Sequence, residues 1–532
     1  MKKFKKIMAL VIAMAMVLGM MSLSAFGADG DFTGTAETTI EATNVTEGDS
    51  VEYFQLVEWD STTSDWKLTT LGQSCGVTLA NLVDGITEAE ASTIAGNVTG
   101  TGTAMTAGTP ATTFTATVNA GLYYLRAIPA DTNKDTVYNP AFVSADYYEG
   151  GNTVDFSSAY ESSTVVKKSD VPFDKVVNDT TPTKYTDVKP GDVVPFKVTT
   201  TIPAFGSSFT NPKFEITDAL SAGLELEGDV SVKYGETTVT ASNSDVTITP
   251  KADKSGYTVA FTKEYLTGLN GATPAVEITY SAKVTTDGSN NVTYMDNEAT
   301  LTFSNTPTTN VDKEKKTRHY TFAIDGDILG QTGKEGSELI KTGTDADGNI
   351  LTENKKTYHE TEVSILSGAT FKLVGTGDLA GVEKTAQSDA NGRINFDGLD
   401  AGTYTLTEET APTGFIKDTR TFTVTITPTY NRDNADYEGD EPDLLVSYEI
   451  TITSPAVGDT PAYNGGATFT MTNDGGVTTT STIESDSNFI NNTQGKGLPS
   501  TGGIGTTIFY IIGSILVLGA GIVMVTRRRM DA

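Results

Sequence analysis

Tyr404-Thr405-Leu406-Thr407-Glu408-Glu409-Thr410-Ala411-Pro412-Thr413-Gly414-Phe415 alternates apolar and polar side chains and then closes in Pro412 and Gly414. Successive side chains of a strand point to opposite faces, so Tyr404, Leu406 and Glu408 share one face and a carboxyl is carried to the apolar side. The same two-residue period runs through most of the chain. Phe196, Val198, Thr200 and Ile202 make one such face, and Val276, Ile278, Tyr280, Ala282 and Val284 another. Phe422, Val424 and Ile426 form a third, and Val446, Tyr448, Ile450 and Ile452 a fourth. The intervening stretches are rich in Gly, Thr, Asn, Asp and Pro, as turns require. Helical spacing is scarce; Leu79 to Val98, with Leu82, Val83, Ile86, Ala91 and Ile94, is the best candidate. The pattern predicts an all-β chain of sandwich domains.

Both ends carry apolar segments of a different kind. Lys2, Lys3, Lys5 and Lys6 precede an apolar run from Ile7 to Leu23, and Ala25-Phe26-Gly27 supplies the small residues of a cleavage site. That is the layout of a secretory signal peptide over residues 1–27. At the other end Leu498-Pro499-Ser500-Thr501-Gly502 is followed by an uncharged run from Ile504 to Thr526 and by Arg527-Arg528-Arg529. As a helix, a run of this length spans about 34 Å, enough for the hydrocarbon core of a bilayer. The arginines keep that end cytoplasmic.

Lys and Arg number 37 against 68 Asp and Glu, a formal net charge of −31, and removing the leader lysines and tail arginines leaves the rest more acidic still. Such a surface repels nucleic acid and anionic lipid and keeps a crowded protein soluble. An exported chain of this size often carries disulfides, yet Cys75 is alone. Either its domains need no covalent staples, or the staples are of another kind. At ~100–200 residues per domain the exported part suggests three or four domains. Polar joints at 162–171, 306–316 and 492–497 divide it into 28–166, 167–310 and 311–497, ahead of residues 498–532 with their apolar helix at 504–526.

The order of pentapeptide, apolar run and basic tail resembles the cell-wall sorting signal of Gram-positive surface proteins. The resemblance implies that the enzyme sortase cuts between Thr501 and Gly502 and passes the Thr501 carbonyl to an amine. The membrane helix would then be a temporary stop; a permanent single-pass anchor is the alternative reading of the same residues.

The stretch from Tyr404 to Phe415 resembles the E-box, Y-x-L-x-E-x-x-A-P-x-G-Y/F, of sortase-assembled pilins and of collagen-adhesin B-type (CnaB-like) domains. Gly368-Ala369-Thr370-Phe371-Lys372-Leu373 matches the G-A-x-F-x-L strand of that family, and Asn492, three residues before Gly495, matches its terminal asparagine strand. Lys341, in Leu339-Ile340-Lys341-Thr342, matches the first-strand lysine. In that family the lysine amine and the asparagine side chain join into an isopeptide bond assisted by the glutamate, which implies Lys341–Asn492 with Glu408. The middle region repeats the logic. Lys175 shares a face with Phe173 and Val177, Asp218 with Phe214 and Ile216, and Asn297 with Ala299, Leu301 and Phe303. This is similar to the A-type (CnaA-like) pilin domain, and implies Lys175–Asn297 beside Asp218.

The residue types fit that chemistry. Burial disfavours charge, raising a carboxyl pKa and lowering an amine pKa. A neutral lysine is a nucleophile, and a protonated acid can polarise the asparagine carbonyl and shuttle protons while ammonia leaves. A lone inward Lys, Glu or Asn is more often a snorkelling or exposed side chain; the E-box spacing together with the terminal position favours cross-linking. Each bond would tie the first strand of its domain to the last, and closing so long a loop stabilises by about 5 kcal/mol in the chain-entropy model. Amide staples need no oxidant, which would account for the missing cysteines.

Backbone pilins of the kind this chain resembles also carry an exposed amine at the end of the N-terminal domain, in a motif such as V-Y-P-K. The matching place reads Val165-Val166-Lys167-Lys168-Ser169, without the Tyr-Pro pair; Lys168 aligns best and Lys167 is its neighbour.

Three other signals fail on their own chemistry. Gly72-Gln73-Ser74-Cys75-Gly76 fits G-x-S-x-G, but the pattern needs a strand, turn and helix of an α/β sheet with a later Asp and His. Asp345-Ala346-Asp347-Gly348-Asn349 resembles a calcium loop but has Ile350 and Lys356 where Gly and Glu belong, so a turn is expected. His359-Glu360 lacks the second histidine of a zinc-protease motif. The reading is therefore an all-β chain of tandem Ig-like (Cna-type) β-sandwich domains, three in a row, with a C-terminal transmembrane sorting helix. Its resemblance is to the major subunit of a sortase-assembled pilus, a structural protein and no turnover enzyme, with no cofactor and no metal. The implied partners are sortase, identical subunits joined head to tail, and peptidoglycan, with minor pilins and host surface ligands as further classes and no nucleic acid. The rivals are a wall-anchored adhesin or minor pilin that never polymerises and a secreted surface hydrolase.

Overall fold

A computed structural model describes residues 37–149, 152–154, 156–177, 182–206, 209–285, 292–322, 339–358, 361–430, 445–471, 477–480, 488–495 and 504–530. The leader 1–27, the His359-Glu360 pair and the pentapeptide Leu498 to Gly502 lie outside these residues. The chain divides into two compact units, 1–184 with 193–283 and 296–317, and 185–192 with 284–295 and 318–532.

In the first unit, alternating residues build sheets on both sides of a shared core. Ser50–Asp60 pairs with Gly121–Ile128, and that strand with Ala141–Ala145. Glu37–Thr43 pairs antiparallel with Phe114–Asn119 and parallel with Ser163–Val165. Ile40, Val51, Tyr123, Leu125, Val143 and Val166 fill the core between them. The opposite face of the Ser50–Asp60 sheet is covered by helices through Cys75, Leu82 and Ile94. The single helix expected from Leu79 to Val98 is two: Leu79–Val83 and Glu88–Asn97. Gly85 at φ 97° turns the chain between them, and Thr87 restarts it with a capping box to Glu90.

Further along this unit, Phe173–Val177, Val193–Thr201 and Ala275–Val284 lie side by side in one sheet with Leu224–Tyr234. Phe214–Leu220 pairs antiparallel with Gly256–Phe261 on one side and with residues 297–303 on the other. Where a polar joint is expected at 306–316, Asn310–Phe322 runs as one strand that carries the chain into the second unit.

The second unit is a sandwich. Among the described residues its larger sheet has seven strands in the order Glu383–Gln387, Thr370–Gly375, Gly402–Thr410, Thr421–Tyr430, Leu445–Ser454, Tyr463–Met471, Val477–Thr480. The smaller has four, Lys355–Tyr358, Thr361–Ile365, Ile340–Thr344 and Phe489–Thr493. Phe371, Leu373, Tyr404, Leu406, Phe422, Tyr448 and Ile490 pack between them. Each such side chain stabilises by roughly 1.5–3 kcal/mol when removed from water. The expected face of Val446 with Tyr448 is corrected. A register shift at Thr429/Tyr430 puts Leu445 inward, and Val446 is exposed. Tyr185–Asp187 joins this unit by parallel pairing with Arg318–Tyr320, and Tyr185 stacks on Tyr430 at 4.3 Å.

The apolar tail forms one helix, Ile504–Met530, longer than the expected 504–526 because the arginines continue it. Its Ile508–Met530 part is long and apolar enough to cross a membrane.

Candidate functional site

Parity places the first cluster. In Phe173–Val177 the buried positions alternate, so Lys175 turns inward between Phe173 and Val177 and is 0% exposed. Asp218 turns inward with Phe214 and Ile216, and Asn297 with Ala299 and Leu301. Asp218 lies opposite Ala299 and Asn297 opposite Leu220, so the acid and the amide are diagonal neighbours on adjacent strands. Lys175 comes from the other sheet. Its Nζ donates to Asp218 Oδ2 at 2.5 Å and to Asn297 Oδ1 at 2.5 Å. Tyr280 donates its hydroxyl to Asp218 Oδ2 at 2.7 Å and accepts Asn297 Nδ2 at 3.0 Å. The Phe196 and Tyr280 rings stand 5.7 Å from the amine.

With every member buried, desolvation dominates the protonation states. It pulls the Lys175 amine down to about 8, against the attraction of Asp218. It raises the Asp218 carboxyl, against the pull of Lys175. Both shifts favour the neutral amine beside the neutral acid. Burial also holds the Tyr280 phenol well above its ordinary value, so its proton stays available for donation.

The second cluster is built differently. Lys341 and Asn492 are on adjacent parallel strands, with Lys341 opposite Ile490 and Gly343 opposite Asn492. Glu408 reaches them from the larger sheet, where it pairs with Phe371. All three side chains are buried. Lys341 Nζ lies 3.3 Å from Glu408 Oε1 and 5.4 Å from the Phe371 ring centre. Asn492 Nδ2 donates to Glu408 Oε2 at 2.9 Å and to the Ile416 carbonyl at 2.5 Å. The backbone N–H of Asp418 donates to the same Glu408 oxygen at 2.6 Å. Burial depresses the Lys341 amine to about 8, with Glu408 opposing. Lys341 Nζ, Glu408 Oε1 and Asn492 Oδ1 make no hydrogen bond. An orphaned buried polar group costs about 1–3 kcal/mol, a cost that falls on Asn492 Oδ1, while Lys341 Nζ and Glu408 Oε1 keep their contact with each other. Gly343, opposite Asn492 in register, leaves room for Leu366 and Phe415: a Cβ there would come within 2.7 Å of Leu366 and 2.9 Å of Phe415.

Thus the four residues expected to cross-link and the two acids expected to assist them are buried in two separate groups of three. Tyr280 was legible only as part of an apolar face, and the loop from Ile416 to Arg420 gave no signal because it acts through main-chain atoms. Lys168 lies in the strand Lys168–Asp170 opposite Tyr138. It is half-buried, and its amine donates to Thr46 Oγ1 at 2.7 Å. Lys167 beside it is exposed. Asp345 accepts the N–H groups of Asp347 and Asn349, the geometry of a turn. Among the described residues no group of three or more His, Cys, Asp or Glu is placed to hold a metal ion.

A family model described as a prealbumin-like fold domain (SpaA) matches residues 352–438, a span that contains Phe371 and Glu408. The LPXTG cell wall anchor motif matches residues 490–531, starting two residues before Asn492. The chain is 26% identical over 573 residues to the trypsin-resistant surface T6 protein of Streptococcus pyogenes serotype M6, covering 98% of this chain and 99% of that one. Among solved structures, the T6 backbone pilin of serotype M6 Streptococcus pyogenes is similar at a TM-score of 0.55 and 17% identity, over 89% of this chain and 100% of its own. The full-length major pilin SpaD from Corynebacterium diphtheriae is similar at a TM-score of 0.44 and 19% identity, over 72% and 90%. Its SpaA-type domain and LPXTG anchor mark the chain as a cell-wall-anchored surface protein that is similar from end to end to the T6 protein.

Proposed function

We propose that the protein is the repeating subunit of a covalent surface fibre, joined by sortase from its Thr501 carbonyl to the Lys168 amine of the next subunit and finally to peptidoglycan. Within each subunit the Lys175 amine attacks the Asn297 side-chain carbonyl carbon, and the Lys341 amine attacks that of Asn492. The C–N bond to the amide nitrogen breaks, a proton reaches that nitrogen through Asp218 or Glu408, and one ammonia leaves per bond. The acid is regenerated, so each cluster reacts once and the protein turns over no substrate. On this reading the exported chain works as three modules, 28–166, 167–310 and 311–497, and each of the last two is clamped between an early strand and a late one.

The observation that carries the proposal is the Lys175 amine, fully buried and 2.5 Å from both an acid and the carbonyl oxygen of Asn297. A fully buried Lys–Asp pair is costly when ionised, and with the Asn297 amide beside it the trio is well arranged to react. Intact-mass measurement of the mature protein tests it: the mass should fall short by two ammonia molecules, and the full calculated mass would overturn it.

A further inference from the structure

The turn after the E-box strand grips the amide and the acid of the second cluster through main-chain atoms. The Ile416 carbonyl accepts Asn492 Nδ2 at 2.5 Å, and the Asp418 N–H donates to Glu408 Oε2 at 2.6 Å. The Ile416 N–H in turn donates to the Thr493 carbonyl at 2.9 Å, and the Gly495 N–H to the Gly414 carbonyl at 3.1 Å, so the turn is laced to the last strand.

What sets the shape of this turn is an ion pair inside it. Arg420 and Asp418 side chains are only 7% and 5% exposed. The guanidinium donates to both carboxylate oxygens, Nε to Oδ1 at 3.1 Å and to Oδ2 at 3.0 Å, and Nη2 to Oδ2 at 2.6 Å. The Arg420 N–H also donates to Asp418 Oδ1 at 2.9 Å. The guanidinium is fixed from outside as well, by Nη1 to the Pro461 carbonyl at 3.2 Å and by stacking 5.0 Å from the Phe422 ring. A buried bidentate pair of this kind has one geometry.

We propose that the Asp418–Arg420 clasp is a positioning element of the second cross-link, holding the Ile416–Asp418 backbone that orients Asn492 and Glu408, and keeping a carboxylate charge balanced beside Lys341. The inference rests on the cross-link reading above and adds residues to it. Neither side chain touches the reacting atoms; Asp418 acts through its backbone N–H and the pair acts through its field. The charged groups facing Lys341 are Glu408 on the E-box strand and Asp418 and Arg420 in the turn; Asp418 favours the charged amine and Arg420 opposes it. Removing Arg420 alone therefore leaves Asp418 to hold Lys341 protonated, and the amine must lose its proton before it attacks.

The test uses mature protein purified unfolded before its bonds have formed and diluted into native buffers of increasing pH, with ammonia loss at each cluster followed by peptide mass. In Arg420→Gln the first bond should form at the wild-type rate, while the second forms slowly with its pH–rate profile displaced upward. Displacement by about one pH unit lowers the neutral amine, and so the rate at neutral pH, about tenfold. Removing both charges, Asp418→Asn with Arg420→Gln, should return the profile to its wild-type position at a reduced maximum rate. Arg420→Lys, which keeps the charge and loses the fork, should slow the second bond without displacing the profile. A second bond formed at wild-type rate and pH dependence in Arg420→Gln would overturn the positioning role alone. A wild-type protein that never loses the second ammonia would overturn the cross-link and the clasp together.

Discussion

Lys341 and Asn492 lie on neighbouring parallel strands, two residues out of direct register, with their side chains on one face. A bond between them would join the earliest and the latest strands, in chain order, of the four-stranded sheet. Tension entering along Ile340–Thr344 could then leave along Phe489–Thr493 towards the sorting signal without peeling the sheet apart. A bond in the first cluster would repeat this with a different geometry, across two sheets, between residues 122 apart in sequence.

The phenol of Tyr280 bridges the acid and the amide of the first cluster, so its removal should separate positioning from proton transfer. Asp218→Ala should slow the Lys175–Asn297 bond by at least about a hundredfold, the usual scale of a general acid–base. Tyr280→Phe should slow it less and leave the second bond untouched. Peptide masses after timed refolding check this. A first bond that forms normally in Asp218→Ala would remove the acid from the mechanism.

Protonation should leave a signature in a protein that cannot form the first bond. In Asn297→Ala, Lys175 keeps a titrating amine, lowered to about 8 in the folded state from an ordinary 10.5. Between those values the unfolded chain binds more protons, so stability should rise with pH through that window. Asp218 is displaced the other way, upward. Its contribution is present at acid pH and lost as pH rises through its folded value. Urea midpoints across pH should therefore fall and then rise again in the alkaline range. The cross-linked wild type, whose amine is consumed, should lack the alkaline rise.

Proteolysis should follow the clamps. Trypsin is expected to nick the region before residue 167 first, at exposed lysines such as Lys67, and to leave residues 167–497 largely intact. Gel mobility and N-terminal sequencing of the fragments check it. Equal digestion of all parts would argue against the clamps. Glu408→Ala should make the second unit as sensitive as the first region.

The clusters were readable in the sequence because strand parity is strict. Once Tyr404 and Leu406 face inward, Glu408 must, and the same holds for Lys175 between Phe173 and Val177. Tyr280 sat on a correctly expected face, but an inward phenol has the same pattern whether it fills space or donates a hydrogen bond. The Ile416–Arg420 turn was invisible because carbonyl and N–H groups are common to every residue. Val446 was misplaced by a register shift at Thr429/Tyr430, where one slipped residue reverses the face. The helix expected as one from Leu79 to Val98 was broken by Gly85, whose positive φ ends a helix at little cost.

The most direct test of the account is the bond between subunits. On the proposed reading sortase would leave a Thr501 acyl-enzyme that a well-placed amine resolves, and head-to-tail contacts that do not close on themselves would build a fibre. Tandem mass spectrometry of high-mass material released from the cell wall should find a branched peptide joining Leu498–Thr501 to Lys168. A branch on Lys167 would move the site by one residue and keep the polymer. Thr501 attached only to peptidoglycan, with no branch to a second subunit, would contradict the fibre-subunit account and leave a wall-anchored adhesin in its place.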